Sequence, residues 1–137
     1  MSEHTAFWED LNRDLQDPEF LREYVVESMR ISTIDSVVNA IDDAREAAGL
    51  SKAELARAIQ KEPATIRRLL SSEGSNPTLG TLAEVAAALG LRITVEPIPR
   101  AERGLITKPL LEGRAADPIA LAEHLSTLRT PRTRLPA

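Results

Sequence analysis

"LSKAELARAIQKEPATIRRLL", residues Leu50 to Leu70, decides how the rest of the chain is read. Ser51 followed three positions later by Glu54 is a capping box, in which hydroxyl and carboxylate trade hydrogen bonds with the backbone at a helix start. A short helix over Lys52–Ile59 follows. Pro63 stands where a second helix begins, because its fixed φ and missing N–H suit a first turn. Leu55, Ala56 and Ile59 form the apolar side of the first helix, and Ile66, Leu69 and Leu70 that of the second. Ala56 is small where two backbones must approach, while Thr65, Arg67 and Arg68 lie off the seam. The spacing predicts two short helices crossed about a tight turn, the second with a polar outer side.

Working outward, Gly49 is a helix stop. Before it, Ile34, Val37, Val38, Ile41, Ala44 and Ala48 form a helical stripe whose start is expected at Ser32, with Asp35 completing a second capping box. Asp17-Pro18 opens an earlier helix carrying Phe20, Leu21, Tyr24, Val25 and Met29. A first helix holds Phe7, Trp8, Leu11 and Leu15. Downstream, "SSEGSNPT" reads as a loop, and Thr78 caps a helix with Leu79, Leu82, Val85, Ala86 and Leu89 inside and Gly90 at its end. "LRITVEPI" then changes period: Leu91, Ile93 and Val95 alternate with Arg92, Thr94 and Glu96, which is strand chemistry. A lone strand needs a partner, and its copy in a second subunit is the simplest. Pro97 to Arg114 reads as a linker or arm, and Asp117-Pro118 as the start of a last helix with Ile119, Leu121, Ala122, Leu125 and Leu128. "RTPRTRLPA" reads as a loose basic tail. Three regions are expected: 1–31, a helical extension; 32–98, the paired-helix domain with its closing strand; 99–137, an arm with a short helix.

Composition agrees with packed helices. Of 137 residues 42% are hydrophobic but only 3% aromatic, so the core is Leu, Ile, Val and Ala, and the fold class expected is mainly α. With no cysteine, disulfides and thiolate metal sites are excluded. There is no apolar run of about 18 residues, and the start, "MSEHTAFWED", lacks the basic and apolar parts of a signal peptide; a cytoplasmic protein is expected. Asp42, Asp43 and Glu46 read as a solvated acidic face, and His4 and His124 share no spacing with other ligands. No metal, cofactor or catalytic residue is expected, and no enzyme. Charge is uneven within the net of -4: residues 1–50 hold 12 acids and 4 bases, residues 51–100 hold 5 and 7, and residues 101–137 hold 4 and 6. An acidic first third either sits away from a polyanion or faces a basic protein.

The run Leu50–Leu91 resembles the five-helix DNA-binding domain of the Cro/phage-repressor (Xre-type) family, on "LSKAELARAI", "ATIRRLL" and "NPTLGTLAEVAAALGL". Within that family the chain looks most like the HigA-like antitoxins of type II toxin–antitoxin modules, on "DPEFLREYVVESM", "LLSSEGSNPTLGTLAEVAAALGL" and "LRITVEPI". The resemblance covers roughly residues 14–98 and implies a homodimer on a palindromic operator in double-stranded DNA. Carried over by position, Pro63, Ala64 and Thr65 face bases, Arg68 makes a bidentate guanine contact, and Arg67 holds phosphate. Lys52, Lys61, Ser72, Ser75 and Asn76 meet the DNA backbone. Leu91, Ile93 and Val95 are read as the dimer strand, with an intramolecular edge as the alternative, and Phe20, Tyr24 and Val25 as ordinary core ahead of a toxin-facing stripe. The implied toxin is a small basic RNase of the RelE/HigB type, suited to the acidic first third. Two positions depart from the family: Gln60 replaces the turn glycine, and Glu62 stands where Ser or Thr caps the recognition helix. The function expected is an antitoxin that represses its own operon. The alternatives are a stand-alone Xre-type repressor, or an interaction adaptor with a degenerate helix-turn-helix.

Overall fold

The computed structural model describes residues 3–71 and 76–128, with side chains from Ala6 onward. Seven helices follow one another: α1 (Glu3–Asp14), α2 (Pro18–Ala47), α3 (Lys52–Ala58), α4 (Pro63–Leu69), α5 (Leu79–Ala88), α6 (Arg100–Glu112) and α7 (Pro118–Leu128). The described residues contain no strand. They divide into two compact units, one taking the chain up to Ser32 and from Glu96 onward, the other Thr33–Val95.

Helix α2 runs unbroken for 30 residues, so no helix starts at Ser32. Nothing between Met29 and Ile34 breaks the ladder, since neither Gly nor Pro occurs there. The expectation of a new helix rested on Ser32 and Asp35, whose capping-box spacing here lies inside a continuous helix. At about 100° per residue, Leu21, Val25 and Ser28 share one side of the helix, and the buried Val38 and Ile41 do not continue that stripe.

In the first unit the core joins Leu11 and Leu15 of α1, Leu21 and Val25 of α2, Ile106 of α6, and Leu121, Ala122 and Leu125 of α7. Two aspartates open helices as the sequence indicates: Asp17 Oδ1 accepts from the Glu19 N–H at 3.0 Å, and Asp117 Oδ1 from the Ala120 N–H at 3.1 Å. Residues 97–114, expected as linker or arm, contain α6. Its stripe of Leu105, Ile106 and Leu110 packs on this core, and the interior Pro109 is itself buried. A mid-helix proline costs about 3 kcal/mol, which burial of that stripe offsets. Arg22 anchors the end of α6, its Nε donating to the Leu110 carbonyl at 3.0 Å.

The second unit packs four helical segments, the end of α2 with α3, α4 and α5, where the family resemblance implied five. Val38, Ile41, Leu55, Ala56, Ile66, Leu69, Leu70 and Val85 form its core. The strand expected at 91–98 is not formed: residues 91–99 have no regular secondary structure. A strand exists only through ladder hydrogen bonds, and among the described residues nothing pairs with this segment.

Candidate nucleic-acid interface

Helix α3 begins at the capping box read from the sequence. The Glu54 N–H donates to Ser51 Oγ at 3.0 Å, and the Ser51 N–H donates back to Glu54 Oε1 at 3.0 Å. The bond from the Ser51 backbone, and then that from its hydroxyl, hold the Glu54 carboxyl below the usual glutamate range.

Three helices of the second unit stop in the same way. After α2, the Leu50 N–H reaches the Arg45 carbonyl at 3.2 Å and the Gly49 N–H the Glu46 carbonyl at 3.0 Å; Gly49 has φ 69. After α5, Leu91 bonds Ala86 at 2.7 Å and Gly90 bonds Ala87 at 3.1 Å, with φ 72 at Gly90. After α3, Lys61 bonds Ala56 at 2.9 Å and Gln60 bonds Arg57 at 3.2 Å, with φ 57 at Gln60. This is the double-bonded stop that normally recruits glycine. Gln60, the one non-glycine residue with positive φ among those described, makes it with a side chain attached. The turn between the paired helices therefore keeps its left-handed form without its glycine.

Helix α4 starts at Glu62, whose side chain makes no capping bond, with Pro63 in the first turn. Its inner residues decide its placement: Ile66 is fully buried, and Leu69 and Leu70 nearly so. Ala64, Arg67 and Arg68, spaced i, i+3 and i+4, share the outer side, and all three are exposed. Among the described residues neither arginine has an ion-pair or hydrogen-bond partner. Pro63 and Thr65 are half-buried at the edge of this face.

The other positions expected at DNA are scattered in kind. Lys52 is half-buried at the start of α3 and unpaired, and Asn76 is exposed before α5. Lys61 is exposed, but its Nζ lies 3.6 Å from Glu84 on α5, so part of its charge is already answered. That pairing spans the turn and a loop, and no local spacing announces it. Ser72 and Ser75 lie outside the described residues. Arg57, which sequence reasoning passed over, is exposed on α3; its place off the Leu55–Ala56–Ile59 seam was the available signal. The unit as a whole, residues 33–95, holds eight acids and seven bases, so the positive character is local to the face of α4.

In the first unit, Phe20 and Tyr24 are half-buried and stacked, with ring centroids 6.1 Å apart and planes at 19°. Glu23, Val26 and Glu27 complete a shallow surface groove around them. Val25, grouped with them from the sequence, is fully buried and belongs to the core, where no partner reaches it. Leu91, Ile93 and Val95 are all exposed. Among the described residues no cluster of three or more His, Asp or Glu side chains is placed to hold a metal ion, and no helix is long and apolar enough to cross a membrane.

Comparison with protein families matches residues 41–95 to the helix-turn-helix family HTH_3. Comparisons with curated proteins and with solved structures gave no match. The matched stretch takes in the end of α2, all of α3, α4 and α5, and the segment after Gly90. That match supports, over residues 41–95, an Xre-type helix-turn-helix domain of the kind found in DNA-binding transcription regulators.

Proposed function

We propose that the chain is a homodimeric DNA-binding antitoxin that represses its own operon and neutralises a toxin encoded beside it. The observation that carries the DNA-binding part is the division of α4: Ile66 and Leu69 are committed inward, and Arg67 and Arg68 are exposed and, among the described residues, unpaired. A helix fixed by its inner side presents cations to a groove at no cost to the core. Two such helices, one from each subunit, read half-sites roughly 34 Å apart. Arg68 takes a guanine and Arg67 a phosphate, while Pro63, Ala64 and Thr65 meet base edges. Lys52, Lys61, Ser72, Ser75 and Asn76 hold the DNA backbone.

Support for the antitoxin part is the resemblance carried by "DPEFLREYVVESM" and "LRITVEPI", together with charge. The first 50 residues hold 12 acids against 4 bases, a balance fitted to a basic toxin of the RelE/HigB type. Phe20 and Tyr24 offer that partner an aromatic, acid-flanked groove. The protein works in the cytoplasm and is assigned no catalytic role. The adaptor alternative drew on Gln60 and Glu62; with Gln60 holding φ 57, the turn on which groove entry depends is intact, which favours the DNA-binding reading.

The test is a salt titration with duplex from the region upstream of the chain's own gene, beside duplex of scrambled sequence. Specific binding with log Kd rising steeply in log salt, about 0.9 per phosphate contacted, is expected. Flat salt dependence with no preference for the upstream duplex refutes DNA binding. Co-purification with the product of the neighbouring gene tests the antitoxin part separately.

A further inference from the structure

After the stop of α5, apolar side chains stand at every second position: Leu91, Ile93 and Val95. All three are exposed, Val95 at 99%. Among the described residues no hydrogen bond reaches the backbone of 92–98. Between these apolar positions stand Arg92 and Glu96, exposed and likewise without a partner. An alternating segment with an unpaired backbone seeks another edge. Its own copy satisfies it in one register only.

When two copies run antiparallel about a two-fold axis through Thr94, Arg92 faces the partner's Glu96 and Glu96 faces the partner's Arg92 on one side of the ribbon. On the other side Ile93 faces the partner's Val95. Opposite charges directly across an antiparallel pair stabilise it, and apolar pairs do the same on the other face. Centring on Ile93 or on Val95 instead leaves both charges without their opposites. A one-residue slip sets Ile93 against the partner's Glu96. Pro97 has no N–H and closes the ladder at one end; the left-handed Gly90 closes it at the other.

We propose that two copies of the chain pair through residues 91–96 as a two-fold antiparallel ribbon centred on Thr94, with register set by Arg92 and the partner's Glu96. The proposal rests on the homodimer reading above. Its test needs no DNA, so its failure and that of operator binding are read apart.

The experiment is sedimentation equilibrium on the full chain and three variants, with circular dichroism melts to establish folding. The wild type is expected to be a dimer. Arg92→Glu and Glu96→Arg are each expected to weaken dimerisation about tenfold or more, since each sets two like-charge pairs across the ribbon. Combining both changes restores opposite charges and is expected to restore the wild-type dimer. Because the chain has no cysteine, Thr94→Cys supplies a second readout. A disulfide-linked dimer is expected on mild oxidation, since opposed residues lie within reach of one bridge. A monomeric wild type, or a dimer indifferent to both single reversals, overturns the proposal. So does a Thr94→Cys chain that stays uncrosslinked while dimeric.

Discussion

Arg45 donates from Nη1 to the Leu50 carbonyl at 2.7 Å while its Nε holds the Asp42 carboxylate at 2.8 Å, tying the end of α2 to the residue that leads into α3. The side chains of Arg45 and Asp42 are only 13% and 9% exposed, so the pair has left most of its water behind. Removing Arg45 takes an opposite charge away from the Asp42 carboxylate where little water can replace it. Arg45→Ala is expected to lower unfolding free energy by about 3 kcal/mol, read from urea denaturation. The double variant Asp42→Leu/Arg45→Met, which strands neither charge, is expected to lose far less. Equal losses for the single and double variants would mean that the ion pair itself, rather than an orphaned charge, sets the cost.

Gln60 holds a left-handed turn that glycine adopts freely. Gln60→Gly is expected to stabilise the protein by about 1 kcal/mol, the usual penalty for a side chain in that region. Gly90→Ala is expected to cost a similar amount at the equivalent stop after α5. Thermal unfolding checks both, with midpoints moving in opposite directions.

Arg68 and Arg67 are assigned different duties at DNA. Arg68→Ala is expected to reduce operator affinity by about 1–3 kcal/mol and to relax preference at one base position of each half-site. Arg67→Ala is expected to weaken binding to all sequences alike and to lower the salt slope by about one per subunit. Binding isotherms on a panel of single-base operator variants separate the two. Unchanged affinity and unchanged base preference in the Arg68 variant would remove α4 from its recognition role.

Gly113 ends α6 with φ 77, and a Cβ built there would lie 2.9 Å from Arg22 Nη2, on a guanidinium already engaged with the Leu110 carbonyl. Gly113→Ala therefore meets two penalties, backbone strain and displacement of the arginine. It is expected to cost about 2 kcal/mol alone, and visibly less in an Arg22→Ala background. A double-mutant cycle measures that difference, and strict additivity would show that the arginine yields freely.

Glu54 gives a pH signature. Its carboxyl is held below the usual glutamate range by the Ser51 bonds. The folded state therefore favours the ionised form, and the stabilisation is complete above the unfolded-state value. It is lost as pH falls through the lowered folded value. The stability gap between wild type and Glu54→Gln is expected to be widest near neutrality and to close in acid, as followed by urea midpoints across pH. A gap that widens in acid would contradict the capping role.

Much of the second unit was written locally. Ser51 with Glu54, Thr78, Gly49 and Gly90 mark their helix ends by short-range chemistry, and Leu55, Ala56, Ile66 and Leu69 mark the seam by spacing, so α3, α4 and α5 were legible before any fold. What escaped depended on distant partners. Ser32 and Asp35 have capping-box spacing but lie inside the single helix α2, whose two halves are buried by different neighbours, so local chemistry presents it as two helices. Helix α6 was masked by Gly104, Pro109 and its charges; only the Leu105–Ile106–Leu110 stripe hinted at it, and that stripe has meaning only against α1, α2 and α7. The tie between Lys61 and Glu84 and the burial of Val25 are tertiary facts of the same sort. At the candidate interface, the exposure of Ala64, Arg67 and Arg68 followed directly from the commitment of Ile66 and Leu69 inward.

On α4 support of the fold and the proposed contact with DNA fall to different side chains. Ile66 and Leu69 seat the helix and Pro63 starts it, while Glu62 makes no capping bond and, among the described residues, Arg67 and Arg68 pair with nothing. Outer residues of α4 can therefore change one at a time with little risk to the scaffold beneath, so that, on the proposed function, binding preference can drift while the fold is kept.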